Sequence, residues 1–143
     1  MKNKVLAVLF LSIGLLIISG VAFAHHSDSV YDQERLVTVK GTVTEFAFVN
    51  PHVEIHFDVK DDKGNVQQWV ALGGSPNQMR RVNWNGSMFK PGEQLTLTGF
   101  QFRDGRNIML QLKTVRANGE VVPASEAEIN FLNNFLKEHG QKP

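Results

Sequence analysis

The sequence predicts a small, mainly β domain with a short helix in the middle and a second helix near its C-terminal end. Several segments alternate apolar and polar residues between turn residues, as half-buried strands do. Two serines stand where helices would begin. The chain of 143 residues contains no cysteine, so the domain must fold by packing rather than through disulfides.

Residues 1–24 have the three parts of a secretory signal peptide. Lys2 and Lys4 form a positive start, Val5–Ile18 is almost entirely apolar, and Ala22-Phe23-Ala24 supplies the small residues of a cleavage site. An uncleaved anchor is the alternative, because the apolar stretch approaches the ~20 residues that span a bilayer. We expect cleavage after Ala24, which would leave a periplasmic or secreted domain without a stable membrane anchor.

The charge of the chain argues against nucleic acid as a partner. The net charge is +1, and cleavage would remove Lys2 and Lys4, so the exported domain would be close to neutral. A near-neutral domain has little field with which to hold a phosphate backbone. Residues 25–143 suit a single domain in length.

The first two strands follow from period-two patterns. Residues 25–35 are predicted to be an extended lead-in, and the first strand is predicted to start at Leu36. Phe46 and Phe48 fall on the parity opposite to the earlier valines, which predicts a bulge near Thr44-Glu45. From His52 to Val59 the alternation is strict, with Val53, Ile55 and Phe57 on one face and His52, Glu54 and His56 on the other.

The later elements complete the predicted order. A third strand, Val66–Leu72, carries Trp69, and Ser75-Pro76 begins a short helix. Leu95–Phe100 and Asn107–Val115 follow as a hairpin, with Ile108, Leu110 and Leu112 expected on one face. Three strands, a helix and two strands is the order of the five-stranded oligonucleotide/oligosaccharide-binding (OB) barrel, predicted here over residues 36–122. Another small antiparallel barrel or roll is the alternative.

Residues 123–140 are predicted to form a C-terminal helix. Ser125 and Glu128 have the spacing of a capping box. Ile129, Leu132 and Leu136 then form an apolar stripe at helical spacing.

Several motifs resemble an uncharacterised family of small exported bacterial domains, from about His25 to Val115. These are His25-His26-Ser27, Thr38–Val43, Val49-Asn50-Pro51-His52-Val53, Trp69 and Phe89-Lys90-Pro91-Gly92-Glu93. The resemblance implies an exported, compact β domain and brings no established activity.

The histidines are the candidate metal ligands. Cleavage after Ala24 would make His25 the N-terminal residue, whose amine and imidazole can chelate one ion. Copper(II) favours such nitrogen ligands. His52 and His56 lie four apart on one strand, or ~13 Å at ~3.3 Å per residue, so they cannot share an ion. A copper or zinc site would therefore join His25 or His26 to one of His52, Glu54 and His56. Ordinary solvent-facing histidines are the alternative.

Three functions remain open at this point. The first is a non-enzymatic exported binding module that holds copper or zinc, with His25 and His52 expected in one site. The second is a metal-free interaction domain that holds a cell-envelope glycan or peptide at Trp69. The third is a copper oxidoreductase with a histidine-brace site at His25. No catalytic motif for nucleophilic or phosphate chemistry is present in the sequence.

Overall fold

A computed structural model describes residues 30–140 of the chain. The domain is mainly β, with six strands and two helices. The strands are β1 (Tyr31–Phe48), β2 (Val53–Lys60), β3 (Val66–Leu72), β4 (Gln94–Phe102), β5 (Ile108–Arg116) and β6 (Val121–Val122). The helices are α1 (Pro76–Arg80) and α2 (Glu126–Glu138).

The strands form one sheet in the order β3-β2-β1-β4-β5-β6. Neighbours in this order are antiparallel, and β3 also pairs with β5 in parallel. The first part of β1 pairs with β4, and its last part pairs with β2. The long first strand therefore takes part in both halves of the sheet.

The predicted bulge in β1 is confirmed. The register between β1 and β2 shifts between Val43 and Glu45, so that Val43 pairs with Phe57 and Glu45 pairs with His56. The extra residue, Thr44, accounts for the change of parity seen in the sequence. The strand also begins at Tyr31 rather than at Leu36, so the second half of the predicted lead-in belongs to β1.

The faces of β2 are also as predicted. Val53, Ile55 and Phe57 are at most 1% exposed and belong to the main hydrophobic core. Glu54 and His56 point to the other face and are partly exposed. Strict alternation is a dependable signal here because each residue of a strand turns its side chain away from that of its neighbour.

Both helices begin with the predicted caps. Ser75 and Gln78 form a capping box at α1, and Ser125 and Glu128 form one at α2. Helix α2 packs against β5 through a second core cluster that contains Phe100, Leu112, Phe135 and Leu136. Ile129, which was predicted in the apolar stripe, is 45% exposed.

Strand β6 adds a sixth strand to the predicted five. No helix in residues 30–140 is long and apolar enough to cross a bilayer. The predicted signal peptide (1–24) and the first part of the lead-in, with His25 and His26, lie outside the described residues.

Candidate functional site

The outward face of β2 carries two of the predicted site residues, Glu54 and His56, together with Asp58. Glu54, His56 and Asp58 alternate with the buried core residues of the same strand and are partly exposed. On β1, the bulge places Glu45 directly opposite His56. We call these four residues the β2 face.

A hydrogen bond to Glu54 orients the imidazole of His56. Its Nε2 lies 2.9 Å from Oε2 of Glu54. Because a carboxylate oxygen only accepts hydrogen bonds, Nε2 carries the hydrogen, and Nδ1 of the neutral ring keeps its lone pair. Histidines that bind metals are commonly oriented in this way, with the second ring nitrogen bonded to a carboxylate.

His52 is oriented by the backbone rather than by a side chain. It immediately precedes β2, is exposed, and its Nδ1 lies 3.3 Å from the carbonyl oxygen of Gly73. Since a carbonyl oxygen also only accepts, the lone pair of the neutral ring is then on Nε2. Both histidines of this region thus keep one ring nitrogen available for a ligand.

The described residues do not complete a metal centre on their own. Within residues 30–140, no group of three or more His, Asp or Glu side chains is placed to hold an ion. Any metal at His52 or His56 would need further ligands, and the predicted ones, His25 and His26, lie outside this range.

Trp69 lies beneath the β2 face rather than on it. The residue is 8% exposed, and its ring packs against Phe57 with the centroids 6.3 Å apart. The indole Nε1 is buried without a hydrogen-bond partner among the described residues. Trp69 also lines a cavity of about 240 Å³, together with Glu45, His56 and Gln68.

The electrostatic character of the β2 face favours cations. Three of its four residues, Glu45, Glu54 and Asp58, are acidic, and the fourth is His56. One carboxylate oxygen of Asp58, Oδ1, is buried without a hydrogen-bond partner in the described part of the chain. Surfaces lined by one sign of charge raise the local concentration of ions of the opposite sign.

Two residues of this region were missed by the sequence reasoning. Glu45 reaches the face only because of the bulge. The bulge was predicted, but the position that it gives to the Glu45 side chain was not. Gln68 pairs with Asp58 across β2 and β3, and only the register of the two strands brings them together. The parity change at Thr44 was the one signal that could have found Glu45.

The sequence matches the model of one protein family over most of its length. A model of a family of unknown function, DUF6152, matches residues 13–111. The chain belongs to this family. Membership in DUF6152 confirms the resemblance to an uncharacterised family and adds no activity to it. The DUF6152 match includes β1 to β4 and the β2 face, and it ends within β5, before β6 and α2. No curated protein matches the chain.

Proposed function

We propose that this domain is an exported, non-enzymatic binding module on an OB-like barrel, and that it holds a copper or zinc ion at the β2 face. The observation that carries the proposal is the pairing of His56 with Glu54 at 2.9 Å. The pair engages Nε2, so Nδ1 of a neutral and partly exposed imidazole keeps its lone pair for a ligand. Nitrogen ligands suit both copper and zinc, and carboxylates also bind zinc.

The pairing of the strands supports the OB-like barrel. Strands β3 and β5 pair with each other, so the succession β1-β2-β3-β5-β4 returns to β1. An OB barrel has five strands, a long first strand that serves both sides, and a ligand surface that includes strands 2 and 3. Glu54, His56 and Asp58 lie on β2, and Trp69 lies on β3.

The remaining ligands are proposed to come from the mature N-terminus. Cleavage after Ala24 would free the amine of His25, which can chelate an ion together with its own imidazole. His26 is a further nitrogen donor next to it. Adding one oriented imidazole from β2 would give a site with three nitrogen ligands, which is a set that copper(II) favours.

The length of the chain allows His25 to reach His56. A ladder of neighbouring strands connects the start of β1 with His56, through the pairs Tyr31–Phe102, Gln101–Met109, Ile108–Val70 and Val70–His56. The one-residue steps from Phe102 to Gln101 and from Met109 to Ile108 run in opposite directions, because β4 and β5 are antiparallel, and so they cancel. Four strand spacings of about 4.8 Å then place the Cα atom of His56 within roughly 19 Å of that of Tyr31. Six residues can span roughly 20 Å, and this is the separation of His25 from Tyr31 in the sequence. His52 precedes His56 by four residues along the chain, so it lies farther from Tyr31 on this path.

The metal content of the exported protein tests this proposal. The full precursor, with a tag only at its C-terminus, is expressed with export and purified from the periplasm without chelators. We expect close to one copper or zinc ion per chain, and we expect His56→Ala to lower that content. A metal-free wild-type protein that also fails to take up either ion on addition would overturn the metal site.

A second function is favoured by the indole of Trp69, whose Nε1 has no hydrogen-bond partner within residues 30–140. A buried N–H without a partner costs free energy, which a ligand oxygen could recover by accepting its hydrogen bond. The adjoining cavity, with Gln68 and His56, is polar enough to hold part of a glycan or peptide. This reading requires no metal. Trp69→Phe keeps the aromatic packing and removes the N–H, so it should weaken binding of a cell-envelope glycan or peptide while leaving metal content unchanged.

A further inference from the structure

An apolar groove lies beside the C-terminal helix, in a different part of the domain from the β2 face. Helix α2 packs against β5, and the chain from β6 to Ala124 borders the groove on another side. The outer surface of β1 and β4 contributes Leu36 and Thr98. The groove has a volume of about 480 Å³, within the range of roughly 300–1,000 Å³ that is typical of small-molecule sites.

The lining of the groove is mostly aliphatic. Leu36, Leu112 and Leu132 belong to or pack against the second core cluster, so they form a firm floor. Val121 and Ile129 stand at the rim and are 57% and 45% exposed. An apolar ligand that covered these two side chains would remove them from water, which is favourable in proportion to the area buried.

The groove also carries a positive charge. Among the described residues that line it, only Lys113 is charged, and this lysine is exposed. Lys113 pairs in register with Thr98, whose hydroxyl is hydrogen-bonded to that of Thr38 at 3.0 Å. A ligand that matches this lining has one anionic group for Lys113 and an unbranched apolar chain for the leucines.

We propose that this groove binds a free fatty acid, with its carboxylate at Lys113 and its hydrocarbon chain along α2. The proposal does not depend on the metal site. Except for Leu36 and Thr98, the lining residues follow position 111, where the DUF6152 match ends. The residues of the proposed fatty-acid site would therefore lie almost entirely after the part of the chain that matches DUF6152.

Matched ligands and matched variants test the proposal on the whole exported chain. Dodecanoate, below its micelle concentration, is titrated by calorimetry and by NMR shifts, and dodecanol and dodecyltrimethylammonium serve as headgroup controls. Lys113→Gln removes the cation, and Lys63→Gln in the exposed β2–β3 turn is its control. Ile129→Asn alters the rim, and its control is Phe131→Asn, because Phe131 is 38% exposed on the same helix but does not line the groove.

We expect one dodecanoate per chain, with shifts in α2 and at Leu36. Lys113→Gln should weaken binding about fivefold, as expected for an exposed ion pair of up to ~1 kcal/mol, and added salt should weaken it similarly. Ile129→Asn should weaken binding as well, whereas the controls Lys63→Gln and Phe131→Asn should leave it unchanged.

Equal binding of all three ligands, or unchanged binding by both groove variants, would overturn the proposal. So would a wild-type dimer that Ile129→Asn makes monomeric, because the groove would then be covered by a second copy.

Discussion

Oε1 of Glu128, in the first turn of α2, accepts a hydrogen bond from the backbone N–H of Gly74 at 3.3 Å. Its other oxygen, Oε2, accepts one from the backbone N–H of Ser125 at 2.6 Å. A single carboxylate thus completes the cap of α2 and attaches this helix to the chain that follows β3. Glu128 is 4% exposed, and its burial raises the pKa of the carboxyl group above its usual 4.5.

The raised pKa of Glu128 predicts how stability depends on pH. In the window between the usual pKa and the raised one, the folded state binds more protons than the unfolded state, so stability falls as pH rises through it. Glu128→Gln removes this titration. The free energy of unfolding of the wild type relative to Glu128→Gln should therefore decrease from pH 4 to pH 8, as measured by urea denaturation. A constant or increasing difference would show that Glu128 is not held in a pKa-raising environment.

Ile55 should be one of the most sensitive core positions. The side chain is 1% exposed in the main core, so Ile55→Ala loses apolar contacts and leaves a cavity. We expect a loss of ~2–5 kcal/mol in the free energy of unfolding. Val66→Ala, at a residue that is 51% exposed, is the control and should change stability little. Similar effects of the two substitutions would mean that the faces of the sheet are misassigned.

Gly41 should be intolerant of any side chain. A Cβ at this position would lie 2.5 Å from Cδ2 of Phe57 and 2.8 Å from the carbonyl oxygen of Asp58. The backbone oxygen cannot move without disturbing the pairing of β1 with β2. We expect Gly41→Ala to lower the free energy of unfolding by about 1–3 kcal/mol. Gly86→Ala, where the nearest atom is 3.9 Å away, should be neutral, and a loss at Gly86 equal to that at Gly41 would contradict this explanation.

Strict local patterns made much of this fold predictable. The alternation in β2, the parity change at Thr44, the cap at Ser75 and the capping box of Ser125 and Glu128 depend on neighbouring residues, and all four appear in the structure. The prediction for the buried residues of β5 was less complete. Leu110 and Leu112 do share the cluster at α2, but Met109 and Gln111 are also buried, on the other face. Strand β5 is covered on both faces, by the main core on one and by α2 on the other, and no local pattern announces this.

The candidate site was predictable only in part, because it depends on register. The sequence placed Glu54 and His56 on one face, as the structure has them. It could not place Glu45 opposite His56 or Gln68 beside Asp58, since those relationships arise between strands that are distant in sequence. The contribution of His52 to a metal site with His25 stays a prediction.

Export and cleavage should be visible in the mass of the protein. Expression of the full precursor in a bacterium should yield periplasmic protein that lacks residues 1–24 and begins at His25. Ala24→Phe puts a large side chain where the cleavage site needs a small one, so this variant should keep its N-terminal segment. A wild-type mass that includes residues 1–24 would favour a membrane anchor and would remove the proposed N-terminal ligand.

The affinity of the mature protein for copper(II), measured against a competing chelator, tests the metal site most directly. Wild type should bind one ion, and binding should weaken as pH falls through ~6.5, where imidazole protonates. A glycine added ahead of His25 converts its amine into an amide, and His56→Ala removes the oriented imidazole. Each change should reduce affinity about tenfold or more, comparable to the loss of a supporting residue at other metal sites.

His52→Ala, in the same series, tests the expectation that His52 and His25 bind the same ion. His139→Ala removes an imidazole near the C-terminal end of α2 and serves as the control. We predict that the added glycine and His56→Ala weaken copper binding while His139→Ala does not. Equal affinity in all these proteins, or no binding by wild type, would contradict it.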